Sequence, residues 1–137
     1  MEPRISIITL GVSDLARSVQ FYKETLGLPL SSHSVENRTA FFELSGTWLG
    51  LYPREELAKD ADAKTRNAGL VGITLSHNLR SEQEVKDFFQ MLIKKGALIA
   101  KEPTRADWGG YSGYFKDPDG YLWEVAYNPN FWAGPKV

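Results

Sequence analysis

Apolar and polar positions along the chain fall into strand-like and helix-like stretches that occur in the same order twice. Residues 5–12 are rich in β-branched side chains, which fit a pleated strand, and Ser13 or Asp14 behind them can cap a helix by accepting its free N–H groups. Leu15, Val19, Tyr22 and Leu26 then recur at helical spacing. Gly27 supplies a helix stop and Pro29 blocks continuation, so strands are predicted over 30–36, 39–44 and 47–52, with turns at Asn37-Arg38 and Ser45-Gly46. Residues 54–67 carry Glu55, Glu56, Lys59, Asp60, Asp62, Lys64 and Arg66 and read as a surface connection with room for a helical turn.

The order then restarts. Residues 70–76 are strand-like, Ser81 and Glu84 have the spacing of a capping box, and Val85, Phe88, Phe89 and Leu92 mark an amphipathic helix that Gly96 ends. Strands over 97–101, 111–116 and 121–127 complete the series. Ile8-Thr9-Leu10 returns as Ile73-Thr74-Leu75, and Phe21-Tyr22 returns as Phe88-Phe89, which points to an internal repeat. The predicted organisation is one α+β domain over 1–137, with a first module at about 1–53, a linker at about 54–68, a second module at about 69–128 and a tail at 129–137.

Composition narrows the partners. A length of 137 residues with 42% hydrophobic content suits one domain with a real core. Sixteen basic against seventeen acidic residues leave a net charge of −1, without the basic stripe that binding to nucleic acid requires. No window approaches the roughly 20 apolar residues that span a bilayer, and residues 1–4 carry no long apolar run, so no membrane partner is expected and the expected location is the cytoplasm. The absence of cysteine removes disulfides, thiolate metal sites and a Cys nucleophile, and only His33 and His77 can supply imidazole.

Leu10-Gly11-Val12-Ser13-Asp14-Leu15, Phe21-Tyr22, Leu26-Gly27-Leu28 and Phe115-Lys116-Asp117-Pro118-Asp119-Gly120-Tyr121-Leu122-Trp123-Glu124-Val125 together resemble the vicinal oxygen chelate superfamily, which contains glyoxalases, extradiol dioxygenases and bleomycin-resistance proteins. The resemblance implies two βαβββ modules forming a curved mixed sheet around a cavity, with metal ligands donated by the first and fourth strands of each module. Mapped onto this chain, those positions fall on Ile7, Gly50, Gly72 and Glu124, and only Glu124 has a donor side chain. A Zn²⁺, Ni²⁺ or Fe²⁺ centre generally takes about three protein ligands. The expectation is therefore no cofactor, with a divalent metal completed by water or a partner chain as the alternative. His77 stands an odd number of residues from Gly72 and so falls on the opposite face or beyond the strand, while His33 lies in a strand that is not a usual ligand donor. Dimers are common in the superfamily, and a homodimer is expected.

Strand alternation assigns faces. Glu124 should share a side with Leu122 and Ala126, leaving Trp123, Val125 and Tyr127 for the helices. A turn pairing Lys116 with Tyr121 would set Glu124 across from Gly113 and bring Tyr111 and Phe115 to its side. The same parity puts Ile7, Thr9, Gly11, Trp48, Gly50, Tyr52, Gly72, Thr74 and Ser76 on the cavity side and Ile8, Leu10, Leu49, Leu51, Ile73 and Leu75 in the core. Gly11, Gly50 and Gly72 either leave volume for a ligand or mark bulges and close backbone approach. Candidate ligand contacts are Thr9, Trp48, Tyr52, Thr74, Trp108, Tyr111, Phe115 and Glu124. The run Trp108-Gly109-Gly110-Tyr111-Ser112-Gly113 reads as a lid or as a packed loop, and Phe131 and Trp132 of the tail are expected to dock on the body or on another subunit.

The function these readings favour is metal-independent binding of an aromatic or cationic small molecule, held between rings with Glu124 as charge partner. The alternative is a glyoxalase-like lyase or isomerase, or a dioxygenase-like enzyme, in which Glu124 is the tentative catalytic residue, as general base or metal ligand.

Overall fold

A computed structural model describes residues 1–3, 5–60, 73–107 and 109–135. The chain divides into two compact units, Met1–Ala68 and Gly69–Val137. The first contains β1 (Ile7–Val12), α1 (Leu15–Gln20), β2 (Ala40–Phe42), β3 (Trp48–Pro53) and α2 (Arg54–Asp60). Asp14 caps α1, its Oδ1 accepting the Arg17 N–H at 3.1 Å. The helix runs on into a π-wound turn, Phe21–Thr25, and Gly27 at φ +71° carries the chain out of it. Strand order is β1-β3-β2, with β1 parallel and β2 antiparallel to β3. One face of this sheet puts Leu10, Val12, Phe42, Leu49 and Leu51 into a core with Tyr22, all at most 6% exposed. Each such side chain stabilises the unit by roughly 1.5–3 kcal/mol through removal from water.

The strand predicted over 30–36 is reduced to the single bridges Leu30↔Phe42 and Val35↔Thr39. Serine hydroxyls take over the ladder there. Ser31 Oγ accepts the His33 N–H at 3.1 Å, and Ser34 Oγ accepts the Phe41 N–H at 2.9 Å while donating to the Phe41 carbonyl. The surface connection opens with α2, a longer helix than the expected turn; its remainder, 61–68, lies outside the described residues.

The second unit contains β4 (Leu75–Leu79), α3 (Glu82–Lys94), β5 (Leu98–Arg105), β6 (Tyr111–Lys116) and β7 (Leu122–Tyr127) in the order β4-β7-β6-β5. As in the first unit, the strand before the helix lies parallel to the last strand of its sheet. This is the repeat that the sequence pattern implied. Ser81 Oγ accepts the Glu84 N–H at 3.1 Å, and Glu84 Oε2 reaches back to the Arg80 N–H at 2.6 Å. Val85, Phe89 and Leu92 of α3 are buried beside Phe115 and Val125 in the second core. β4 begins at Leu75 and not at 70, and of the predicted strand 70–72 lie outside the described residues.

β5 extends beyond its predicted end because it is bulged, with register shifts between Ile99 and Lys101 and between Lys101 and Thr104. The opposing Gly113 makes this possible. A Cβ there would stand 2.7 Å from the Lys101 carbonyl oxygen and 2.8 Å from both Pro103 N and Phe89 Cζ. Among the described residues no helix is long and apolar enough to cross a membrane.

Candidate functional site

The hairpin that carries Glu124 is set by a buried aspartate. Asp117 Oδ1 accepts the N–H groups of Asp119 and Tyr121 at 2.9 and 2.8 Å, and Gly120 at φ +86° closes the loop with a bond from its N–H to the Asp117 carbonyl. The Asp117 N–H in turn donates to the Tyr121 carbonyl, so Asp117 pairs with Tyr121 and Lys116 with Leu122. The register is one residue away from the Lys116–Tyr121 pairing that the turn suggested. Every face assignment on β6 reverses as a result.

Tyr114, and not Gly113, therefore stands opposite Glu124, and Ser76 of β4 stands on its other side. The three side chains form a row across three strands. Ser76 Oγ donates to Glu124 Oε1 at 3.2 Å and the Tyr114 hydroxyl donates to Oε2 at 3.1 Å. The carboxylate is not isolated, as the sequence implied, but bracketed by one hydroxyl on each oxygen. No cation among the described residues pairs with it. Burial, followed by the negative charge of Glu124 and the hydrogen bond to it, raises the Tyr114 phenol above its ordinary pKa. It stays a donor at neutral pH. The next row on the same face is Asn78, Ala126 and Ser112, so polar groups continue along the sheet.

Tyr111 and Phe115 leave this face. Phe115 is 1% exposed, stacks on Trp123 with centroids 6.0 Å apart, and meets Phe88 of α3 at 6.2 Å. Tyr111 lies under the Lys86 ammonium of α3 at 5.5 Å. Both are helix-side residues. Thr74 is exposed just ahead of β4, and Trp108 lies outside the described residues. The rest of the expected lid is a turn in which the Ala106 N–H donates to the Gly110 carbonyl, followed directly by β6.

In the first unit, register pairs Ile7 with Trp48, Thr9 with Gly50 and Gly11 with Tyr52, keeping the candidates Thr9, Trp48 and Tyr52 on one side of the sheet. Phe41 joins this side opposite Gly50. Trp48 stacks on His33 at 6.1 Å and meets Phe41 at 6.3 Å, forming an aromatic cluster whose His and Phe members the strand pattern did not reveal. A groove of about 330 Å³ adjoins Trp48, with Ile5, Ser6, Ile7 and Gly46 around it. Of the two readings of these glycines, close approach holds at Gly11 and Gly50. Gly11 is covered by α2, where a Cβ would lie 3.2 Å from Leu57 Cδ2, and Gly50 is overhung by Thr9, Ile7 and Phe41.

The donor set does not fit a metal centre with three protein ligands. Ile7, Gly50 and Gly72 offer no side-chain donor, Gly72 lies outside the described residues, and the two groups beside Glu124 are neutral hydroxyls already donating to it. Among the described residues no three His, Asp or Glu side chains come together as a metal-holding group. His77 points to α3, its ring tilted over Phe88 at 5.8 Å, and the partial burial of the imidazole lowers its pKa.

Comparison with known proteins places this architecture. The sequence pattern of the Glyoxalase/Bleomycin resistance protein/Dioxygenase superfamily matches residues 4–125. The chain is 32% identical over 123 residues to metallothiol transferase FosB of Shouchella clausii, covering 88% of this chain and 77% of that protein. It is likewise 32% identical over 121 residues to the protein YraH of Bacillus subtilis, covering 86% and 93%. The crystal structure of a glyoxalase-related enzyme from Fulvimarina pelagi superposes with a TM-score of 0.84 at 30% identity, over 96% of this chain and 93% of that one. With its α+β fold and a match over nearly its whole length, the chain belongs to the Glyoxalase/Bleomycin resistance protein/Dioxygenase superfamily.

Proposed function

We propose that this chain binds a small organic cation, aromatic or carried on an aromatic frame, without a resident metal, and that Glu124 is its charge partner. The observation that carries this reading is the Ser76–Glu124–Tyr114 row. A carboxylate that accepts only from neutral donors is not neutralised by them, retains free lone pairs and suits an ammonium or guanidinium group. The Tyr114 ring adds a face for the same cation, worth about 0.5–2 kcal/mol depending on desolvation. The first unit, taken by itself, carries a separate aromatic cluster of Trp48, Phe41 and His33 that suits stacking on an arene. A homodimer is part of this proposal.

Chelator-treated, untagged protein is expected to bind members of a panel of cationic arenes saturably, with Glu124→Gln weakening the best of them at least about tenfold. Binding of no panel member, or equal affinity in Glu124→Gln, overturns the reading. Native mass spectrometry of the same protein is expected to show two chains and no stoichiometric divalent metal.

A second reading rests on the relatives, one named a metallothiol transferase and another a glyoxalase-related enzyme. In it Glu124 takes a proton from a carbon acid in a lyase or isomerase reaction, and the Tyr114 hydroxyl holds the carboxylate in place. Turnover of α-oxo thiohemiacetals that Glu124→Gln abolishes would establish it. Absence of turnover across pH 5–9 would remove it.

A further inference from the structure

Besides the Glu124 row, the second unit carries a cation in a groove that Ser76 of that row also lines. Arg80 follows β4 directly, and its guanidinium carbon lies over the Trp132 ring, 3.8 Å from the ring centroid. The tail is folded to present that ring. The Trp132 indole N–H donates to the Pro135 carbonyl at 2.9 Å, and Gly134 passes so close that any Cβ on it would overlap the indole. Between this tail and the edge of β4 runs a groove of about 310 Å³ whose wall includes Asn78, Arg80, Glu84 and Trp132.

Stacking occupies a face of the guanidinium and leaves its N–H donors in the plane free to radiate outwards. No side-chain hydrogen bond or ion pair from the described residues engages them. Glu84, the acid in the groove, directs Oε2 to the Arg80 backbone N–H and forms no ion pair with the guanidinium. The result is a fork-shaped donor seated on a ring, in a groove that Asn78 also lines. A planar fork held in advance loses little freedom when it meets two oxygens of one anion.

We infer that the Arg80–Trp132 groove is a recognition site for a small organic oxyanion, a carboxylate or a phosphonate, bound end-on to the guanidinium. The inference does not depend on the role of Glu124. It is tested on the full chain, at constant ionic strength, by titrating benzoate and methylphosphonate while following the Arg80 Nε–H and Trp132 indole N–H signals by NMR. Saturable shifts of both signals with at least one of the two anions are expected, and a response to one alone names the oxyanion. Arg80→Gln should weaken binding at least about tenfold, Trp132→Leu several-fold, and Arg80→Lys, which keeps the charge without the fork, should fall between wild type and Arg80→Gln. Shifts that grow linearly without saturation, or Arg80→Gln titrating like wild type, overturn the site. Arg80→Lys matching wild type overturns its bidentate geometry.

Discussion

The Tyr114 hydroxyl donates to Glu124 Oε2 at 3.1 Å from directly across the β6–β7 ladder. Burial and the carboxylate together hold the phenol protonated beyond its usual range. Because the folded-state pKa is raised, the stability this proton contributes is complete below the unfolded value and is lost as pH rises through the folded value. Phenolate absorbance at 295 nm should show a late-titrating tyrosine that is absent in Tyr114→Phe. In Glu124→Gln the same group should ionise at lower pH. An unchanged titration curve in both variants would refute the coupling.

His77 behaves in the opposite sense. Its imidazole is lowered by burial against Phe88, so its contribution is present above the unfolded value and is lost as pH falls through the folded one. Melting temperature is expected to decline as pH drops below about 6.5, the unperturbed His value, with a shallower decline in His77→Phe. NMR titration of the His77 ring should give a midpoint below that of an unfolded-chain reference. A midpoint at or above the reference would contradict the assignment.

Two glycines, Gly113 in the second unit and Gly11 in the first, test the difference between crowding by backbone and crowding by a side chain. Gly113→Ala meets the Lys101 carbonyl and Pro103 nitrogen, neither of which can step aside, and should cost about 1–3 kcal/mol as overpacking. Gly11→Ala meets the Leu57 methyl, which can rotate, and should cost less than about 1 kcal/mol. Urea unfolding of the two variants measures both. Equal losses would show that the bulge of β5 adapts as freely as a leucine.

Neighbouring residues on β6 separate stability from binding. Phe115→Ala empties a site between Trp123 and Phe88 and should destabilise by about 3–5 kcal/mol. Tyr114→Phe leaves the core intact, so it should melt near wild type while changing affinity for cationic ligands. Loss of stability in Tyr114→Phe comparable to that in Phe115→Ala would mean that the row around Glu124 is structural.

The element order, the repeat, the capping of α1 and α3 and the core faces of β1, β3 and β7 were legible because each rests on local spacing. Leu10, Leu49 and Leu51 alternate with polar or small residues, and parity alone sends them inward. What escaped was set by hydrogen bonds that no periodicity encodes. Ser31 and Ser34 bond locally and to Phe41 where the pattern predicts a strand, and only single bridges remain. Asp117 draws Tyr121 into the turn, hiding Tyr114 from the site and wrongly offering Tyr111 and Phe115. Phe41 and His33 meet Trp48 only once that short, irregular stretch is folded.

The Asp117 turn has a consequence for how such sites diverge. A single inserted or deleted residue at 118–120 would slide β6 by one position and exchange, in one event, every side chain that faces Glu124 for one that now faces α3. Gly113 or Phe115, according to the direction of the slide, would replace Tyr114 beside the carboxylate without any change in the strand itself. Among relatives built on this hairpin, the length of the loop is therefore a character to compare before the identity of the residues it connects, because length selects which of them stands beside the carboxylate.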